Sequence, residues 1–330
     1  MIDYSSRETS WRLRTRTIEL GKRTLLMGVV NITPDSFSDG GSFLDPDAAV
    51  AHALALLREG ADLLDLGAES TRPGSRAGSA CGGEPGSSNP PKDPSRKTPA
   101  VSADEEQARL LPVLEGILKA RPDALVSVDT YKSATARAAL KAGAEIVNDV
   151  SGFLWDREMA AVCAEAGCGV VLMHTRGVPE QWNVQPRMEP DEVLKTVREG
   201  LAESLKMAAA AGIAPEAIVI DPGYGFGKRY MENFVLLARQ AEFMDLGRPL
   251  LAGISRKSFL GVALSSLHRG KSAPIENRET ATVAALVASI LHGASIVRVH
   301  AVRPALEAAL IADAVLAGSA PFIADEPDGL

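Results

Sequence analysis

The sequence predicts a single-domain α/β chain folded as a (β/α)8 TIM barrel, and three observations carry that prediction. Short apolar runs rich in β-branched residues alternate with longer Ala-, Leu- and Glu-rich stretches of helical spacing, eight times in succession. Most of the runs are near-continuous hydrophobics, as expected of parallel strands covered on both faces. Several helical stretches stop at a glycine (Gly60, Gly143, Gly167, Gly212, Gly293), the residue that best adopts a left-handed helix terminus. A doubly wound open sheet is the competing architecture, but eight units without a break or reversal favour closure.

In chain order the strands are expected at Leu25–Asn31, Asp62–Gly67, Leu125–Thr130, Ile146–Ser151, Gly169–His174, Ile218–Gly223, Leu250–Ser255 and Ile296–His300. The helices are expected at Pro46–Glu59, Ala103–Lys119, Ser133–Ala142, Arg157–Ala166, Pro190–Ala211, Met231–Phe243, Glu279–His292 and Arg303–Leu316. Residues 1–24 form an N-terminal extension with a strand, 25–318 the barrel and 319–330 a C-terminal tail. Alternating Arg12, Arg14 and Arg16 read as a solvated strand edge. Residues 76–102 differ in composition from the rest: dense in Gly, Pro and Ser, they offer little to bury and read as a flexible insertion after the second strand. This insertion is expected to be passive, so that its deletion leaves the loop's function intact.

Composition narrows the class. In 330 residues, 46% are hydrophobic and 23% charged, close to soluble globular averages. The net charge of −7, with only a local cluster of cations near the N-terminus, gives no nucleic-acid footprint. Cys81, Cys163 and Cys168 are too few for a disulfide framework and lack C-x-x-C spacing. No apolar run approaches the roughly 20 residues that span a bilayer, and Met1–Ser10 lacks the apolar core of a signal peptide. A cytoplasmic protein without a membrane segment is expected. Neither terminus holds enough chain for a second domain, so a fused partner enzyme is not expected.

Function is legible in position. Nearly every expected strand ends, on its C-terminal side, in polar residues: Asn31, Asp65, Asp129, Asn148, His174 after Met173, Asp221, Ser255-Arg256-Lys257, and Arg298 with His300. An active site in this fold lies at that rim. Any one Asp or Asn after a strand is more commonly a helix cap or turn former, but the full set converges on one pocket. Asp129, Asn148 and Asp221 suit the donor-rich edge of a flat heterocycle. Lys257, Arg298 and His300 suit a phosphate or diphosphate. Asn31 offers a neutral oxygen that Mg²⁺ can share with phosphate oxygens. These residues point to displacement of pyrophosphate from a carbon attached to a heterocycle.

Seven stretches in this order resemble the dihydropteroate synthase family, the sulfonamide-targeted enzymes of folate biosynthesis: MGVVNITPDSFSDGG (27–41), ESTRPGS (69–75), SVDTYK (127–132), NDVSG (148–152), DPGYGFGK (221–228), GISRKSFLG (253–261) and RVH (298–300). The resemblance implies a homodimeric, Mg²⁺-assisted transferase. It would join 6-hydroxymethyl-7,8-dihydropterin diphosphate to p-aminobenzoate, releasing pyrophosphate by dissociative displacement. It also implies that Asp129, Asn148, Asp221 and Lys257 hold the pterin, with Met173 and Phe226 lining its pocket. Asn31, Arg298 and His300 would hold the diphosphate and the metal. Phe37, Asp39, Thr71, Arg72, Pro73 and Ser255 would complete the p-aminobenzoate site, and Lys257, Arg298 and Asp129 would carry the catalysis. Ala301 departs from the family, where Asp often follows RVH, and MHTRG (173–177) replaces the commoner MHMRG-like stretch. Two rival readings are a pterin-binding methyltransferase, which needs no pyrophosphate site, and an inactive barrel paralogue, which would be expected to lose its anion residues first.

Overall fold

A computed structural model describes residues 10–33, 45–69 and 101–318 of the chain. Two short antiparallel strands open it, β1 (Ser10–Arg12) and β2 (Thr17–Glu19). Eight parallel strands follow: β3 (Leu25–Asn31), β4 (Leu63–Gly67), β5 (Val126–Asp129), β6 (Ile146–Asp149), β7 (Gly169–Met173), β8 (Ile218–Asp221), β9 (Leu250–Ala252) and β10 (Ala294–Val299). They pair in sequence order, and β10 returns to pair with β3, closing the barrel. The outer helices are α1 (Pro46–Glu59), α2 (Ala103–Ala120), α3 (Ser133–Ala142), α4 (Met159–Ala166), α5 (Pro190–Ala210), α6 (Tyr230–Arg239), α7 (Ser258–Ala263), α8 (Glu279–Leu291) and α9 (Val302–Ala317). The expected (β/α)8 architecture is therefore what forms, with every expected helix present and α7 added after β9.

Most of the expected strands run past the true ends, and local hydrogen bonding explains why the pairing stops. At β6 the Asp149 carboxylate accepts from the backbone N–H groups of Ser151 and Phe153, turning the chain out of the sheet. The expected helix from Arg157 begins only at Met159, because Asp156 accepts from the N–H groups of Ser133 and Glu158. Helix α6 stops at Arg239 and continues as a 3₁₀ turn over Gln240–Leu246. There the buried Gln240 amide reaches the Tyr224 hydroxyl and the Ser289 carbonyl, a tertiary demand that period alone does not reveal. Ala301 caps α9 without a side-chain bond, so its departure from the family pattern leaves that helix start uncapped.

The lower half of the barrel is apolar. Leu25, Met27, Leu63, Ile146, Val171, Val219, Leu251 and Ile296 form one cluster with Trp11, Leu13 and Leu20 of the N-terminal hairpin. The hairpin is thus a plug rather than a loose extension. Trp11 is fully buried and its indole N–H donates to the Ala217 carbonyl at 2.9 Å. Arg12 faces solvent between buried Trp11 and Leu13, and Arg14 and Arg16 are exposed beyond them. The remaining buried apolar residues fill the space between strands and helices. Cys163 and Cys168 belong to that layer as free thiols.

The insertion expected over 76–102 ends earlier than its composition suggests. Residues 76–100 lie outside the described residues, but Val101 is buried and Ser102 caps α2, its hydroxyl accepting from Glu105 N–H at 3.1 Å. Ser102 read as loop because Ser is equally at home in a loop and at an N-cap.

Because Trp11 occupies the barrel floor, Trp11→Ala should cost about 3–5 kcal/mol of stability by opening a cavity there. Urea unfolding monitored by circular dichroism measures this, and a loss under 1 kcal/mol would show that the plug carries little.

Candidate active site

Inward positions on four of the strands change from apolar to polar over one two-residue step. Leu63 gives way to Asp65, Ile146 to Asn148, Val219 to Asp221 and Ile296 to Arg298, all on the barrel-facing parity of their strands. The polar members are buried: Asp65 completely, Asn148 and Asp221 nearly so. Charges at such depth need partners, and here they partner one another. Arg298 Nε donates to Asp65 Oδ2 and Nη2 to Asp129 Oδ2, both at 2.6 Å. Asn148 Nδ2 donates to the same Asp65 oxygen at 2.9 Å. Asp65 thus ties the amide of β6 to the guanidinium of β10. It is the central acceptor of the site, although in sequence it reads only as a polar strand end.

Burial pushes the Asp129 carboxyl up to about 7; Arg298 and Lys257 pull it down, while Asp65 and Glu106 push it further up. The Asp221 carboxyl is likewise raised by burial, although the backbone N–H of Gly223 donates to its Oδ1 at 2.7 Å. Its other oxygen faces Gly253, where a Cβ would stand 3.4 Å from it.

Lys257 lies at the entry to α7, its ammonium 3.9 Å from the centre of the Phe226 ring, a cation–π contact. Phe226 in turn packs edge-on against Trp182, with centroids 4.9 Å apart. The loop that presents Phe226 is fixed from below by Lys228. That buried ammonium donates to the carbonyls of His174, Pro222 and Gly223 at 2.8–2.9 Å, and burial lowers its pKa. Gly223 is obligatory: at φ +71 a Cβ would stand 1.9 Å from the His174 carbonyl oxygen. In sequence Lys228 only closes the DPGYGFGK stretch, where a Lys after a Gly-rich turn ordinarily points to solvent.

Ser255 and His300 form a second group. The Ser255 hydroxyl meets His300 Nδ1 at 3.0 Å and accepts from its N–H at 3.3 Å. Between Ser255 and Lys257, Arg256 takes φ +58, a strained conformation for a residue with a side chain. It is held by Thr282 and Glu279 of α8, while the Arg278 guanidinium donates to its carbonyl.

The structure brings Asp129, Asn148, Asp221, Met173, Phe226, Lys257 and Arg298 to the C-terminal ends of the strands, with Asn31 closing β3 and Ser255 beside His300. Arg298 stands between the carboxylates of Asp65 and Asp129. His174 does not join them: with Met173 facing inward, its ring turns outward against α5, where a Cβ on Gly200 would meet it at 2.4 Å. Burial lowers its pKa and keeps it neutral. Phe37, Asp39, Thr71, Arg72 and Pro73 lie outside the described residues.

A model of the pterin-binding enzymes matches residues 27–81 and 93–300. The dihydropteroate synthase of Mycobacterium leprae is 42% identical over 88% of this chain and 93% of its own, and that of Bacillus subtilis 38% identical over 89% and 90%. The chain belongs to the dihydropteroate synthase family. It is a transferase of folate synthesis. Solved synthases superpose on it: that of Yersinia pestis, in complex with a sulfonamide drug, has a TM-score of 0.78 at 35% identity, covering 94% of this chain and 99% of that one. The Xanthomonas albilineans synthase with 4-aminobenzoic acid has a TM-score of 0.77 at 37% identity, covering 94% and 98%.

Arg298→Met should destabilise this synthase-family chain by about 3–5 kcal/mol, because it strands a fully buried carboxylate. Chemical denaturation of the single variant and of Arg298→Met with Asp65→Asn tests this. Recovery in the double variant is expected, and equal losses in both would place the cost elsewhere.

Proposed function

We propose that the chain binds the pterin ring on Asp129, Asn148, Asp221 and Lys257, between Met173 and Phe226, and the diphosphate on Asn31, Arg298 and His300. The observation that carries this reading is the ring of acceptors on β5, β6 and β8, partly buried Asp129 with buried Asn148 and Asp221, and Lys257 and Arg298 beside them. The substrates are 6-hydroxymethyl-7,8-dihydropterin diphosphate and p-aminobenzoate. The carbon–oxygen bond to the diphosphate breaks first, its electron pair leaving with pyrophosphate. Carboxylates around the ring stabilise the resulting pterin cation, and Arg298 and His300 stabilise the departing anion. The aniline nitrogen, already nucleophilic, then forms the carbon–nitrogen bond and releases its proton. Ser255 orients His300, and Phe37, Asp39, Thr71, Arg72 and Pro73 supply the p-aminobenzoate side.

Mg²⁺ fits as an ion that arrives with the diphosphate. Among the described residues no three His, Cys, Asp or Glu side chains are grouped to hold a metal, while Asn31 offers one neutral oxygen at the strand end. That suits a hard cation ligated mostly by phosphate oxygens and water. When bound, it neutralises charge on the leaving group.

The second copy of a homodimer fits the exposed face of α9, where Leu310, Ile311 and Val315 stand in a stripe. Among the described residues no helix is long and apolar enough to cross a membrane, and we place the reaction in the cytoplasm.

Pyrophosphate release from the dihydropterin diphosphate should require p-aminobenzoate, should stop in EDTA, and should collapse in Lys257→Ala. Pterin binding without release would move the reading to a methyltransferase or a binding paralogue. A second expectation concerns pH. Asp129 must be a carboxylate to accept from the ring, so pterin affinity should weaken as pH falls through 7, approaching about tenfold per unit. Calorimetric titrations from pH 8 to 5.5 measure the slope, which Asp129→Asn should abolish; a slope that persists in the variant assigns the proton to another group.

A further inference from the structure

Outside the pterin site, a heavily buried cluster of charge joins both ends of the connection between β4 and α2. Lys132, just before α3, places its ammonium on the Glu69 carboxylate and, at 3.0 Å, on Glu106 Oε2. Both carboxylates are almost wholly buried, with side-chain exposures of 3% and 1%. The Thr135 hydroxyl donates to Glu106 Oε2 at 2.9 Å. The other Glu69 oxygen accepts from the backbone N–H of Val101 at 3.2 Å.

The arrangement has a direction. Glu69 follows β4 by two residues, Val101 is where the chain returns, and Glu106 lies in the first turns of α2. Lys132 therefore ties departing chain to returning chain, from a loop that begins at Asp129. A further tie comes from Arg109, which donates to the Ala68 carbonyl at 3.1 Å. One cation serving two buried carboxylates is a poor device for stability alone, since apolar side chains of similar volume would avoid the desolvation cost. What ion pairs of this kind supply is a fixed registry.

We propose that Lys132 is a positioning residue for the p-aminobenzoate half of the reaction. With Glu69 and Glu106 it fixes the point from which the chain departs toward Thr71 and Arg72, two and three residues beyond Glu69. This rests on the reading of Thr71 and Arg72 as p-aminobenzoate residues.

The test is steady-state kinetics of the full chain with each substrate varied in turn, for Lys132→Met, Lys132→Arg and Arg72→Ala, with melting temperatures alongside. Lys132→Met should raise KM for p-aminobenzoate about tenfold or more while KM for the dihydropterin diphosphate stays within about twofold, and Lys132→Arg should recover most of the loss. Should Lys132→Met fail to fold, Glu69→Gln, which keeps Lys132 paired with Glu106, is expected to show the same selective rise. A lowered melting temperature with both KM values unchanged would overturn the proposal, as would an equal rise in both. A rise in Arg72→Ala without one in Lys132→Met would overturn the clamp alone. No rise in Arg72→Ala would remove the underlying reading and the proposal together.

Discussion

The guanidinium of Arg298 is the constraint on which the upper barrel depends. It reaches Asp65 and Asp129 from β10 and is itself partly buried beside them. A barrel interior that must receive a polar heterocycle has to keep acceptors there before the ligand arrives, and unpaired carboxylates at that depth would be costly. Arg298 supplies the counter-charge, and Asn148 adds a neutral donor to the same oxygen of Asp65. The acceptors are thereby held in place, so their reorganisation cost is met in folding rather than at binding.

That network is affordable because the rest of the barrel interior is dry. A step of two residues, about 6.6 Å along a strand, separates Ile146 from Asn148 and Ile296 from Arg298. Below that level Trp11 and its neighbours close the floor. Stability is thus concentrated at the N-terminal ends of the strands and chemistry at their C-terminal ends, the division general to this fold. The strain at Arg256 and the close approach at Gly223 lie on the chemical side, where loops must present Lys257 and Phe226 at defined positions.

Much of this was legible from period and position. Strand β3 and helices α1 and α3 carry the expected boundaries; both helices stop at a left-handed glycine, Gly60 or Gly143, and Asp45 caps the start of α1. The polar strand ends were legible because nothing in an apolar strand calls for them. What escaped was set by tertiary partners. Asp65 read as one more strand end, since only the closed barrel brings β4 opposite β10's arginine and β6's amide. Lys228 finds its three carbonyls only where β7 and β8 end side by side. His174 resembles a rim residue in sequence, but its strand ends one position earlier, at Met173, and one residue of parity turns a side chain to the other face.

The same reasoning explains how a chain can carry a long connection next to its active site. Closing a loop costs entropy that grows slowly with length, roughly 0.6 kcal/mol per doubling, so length itself is a minor burden. The danger is positional, since each added residue widens the range of places the adjoining chain can occupy. A bond network between the two ends removes that freedom whatever lies between them, provided the bonds are made within the barrel wall. Glu69, Val101, Glu106 and Lys132 meet that condition, being anchored to β4, α2 and the end of β5. Composition marks where a chain has room to vary, while the buried charges beside it mark where that variation stops.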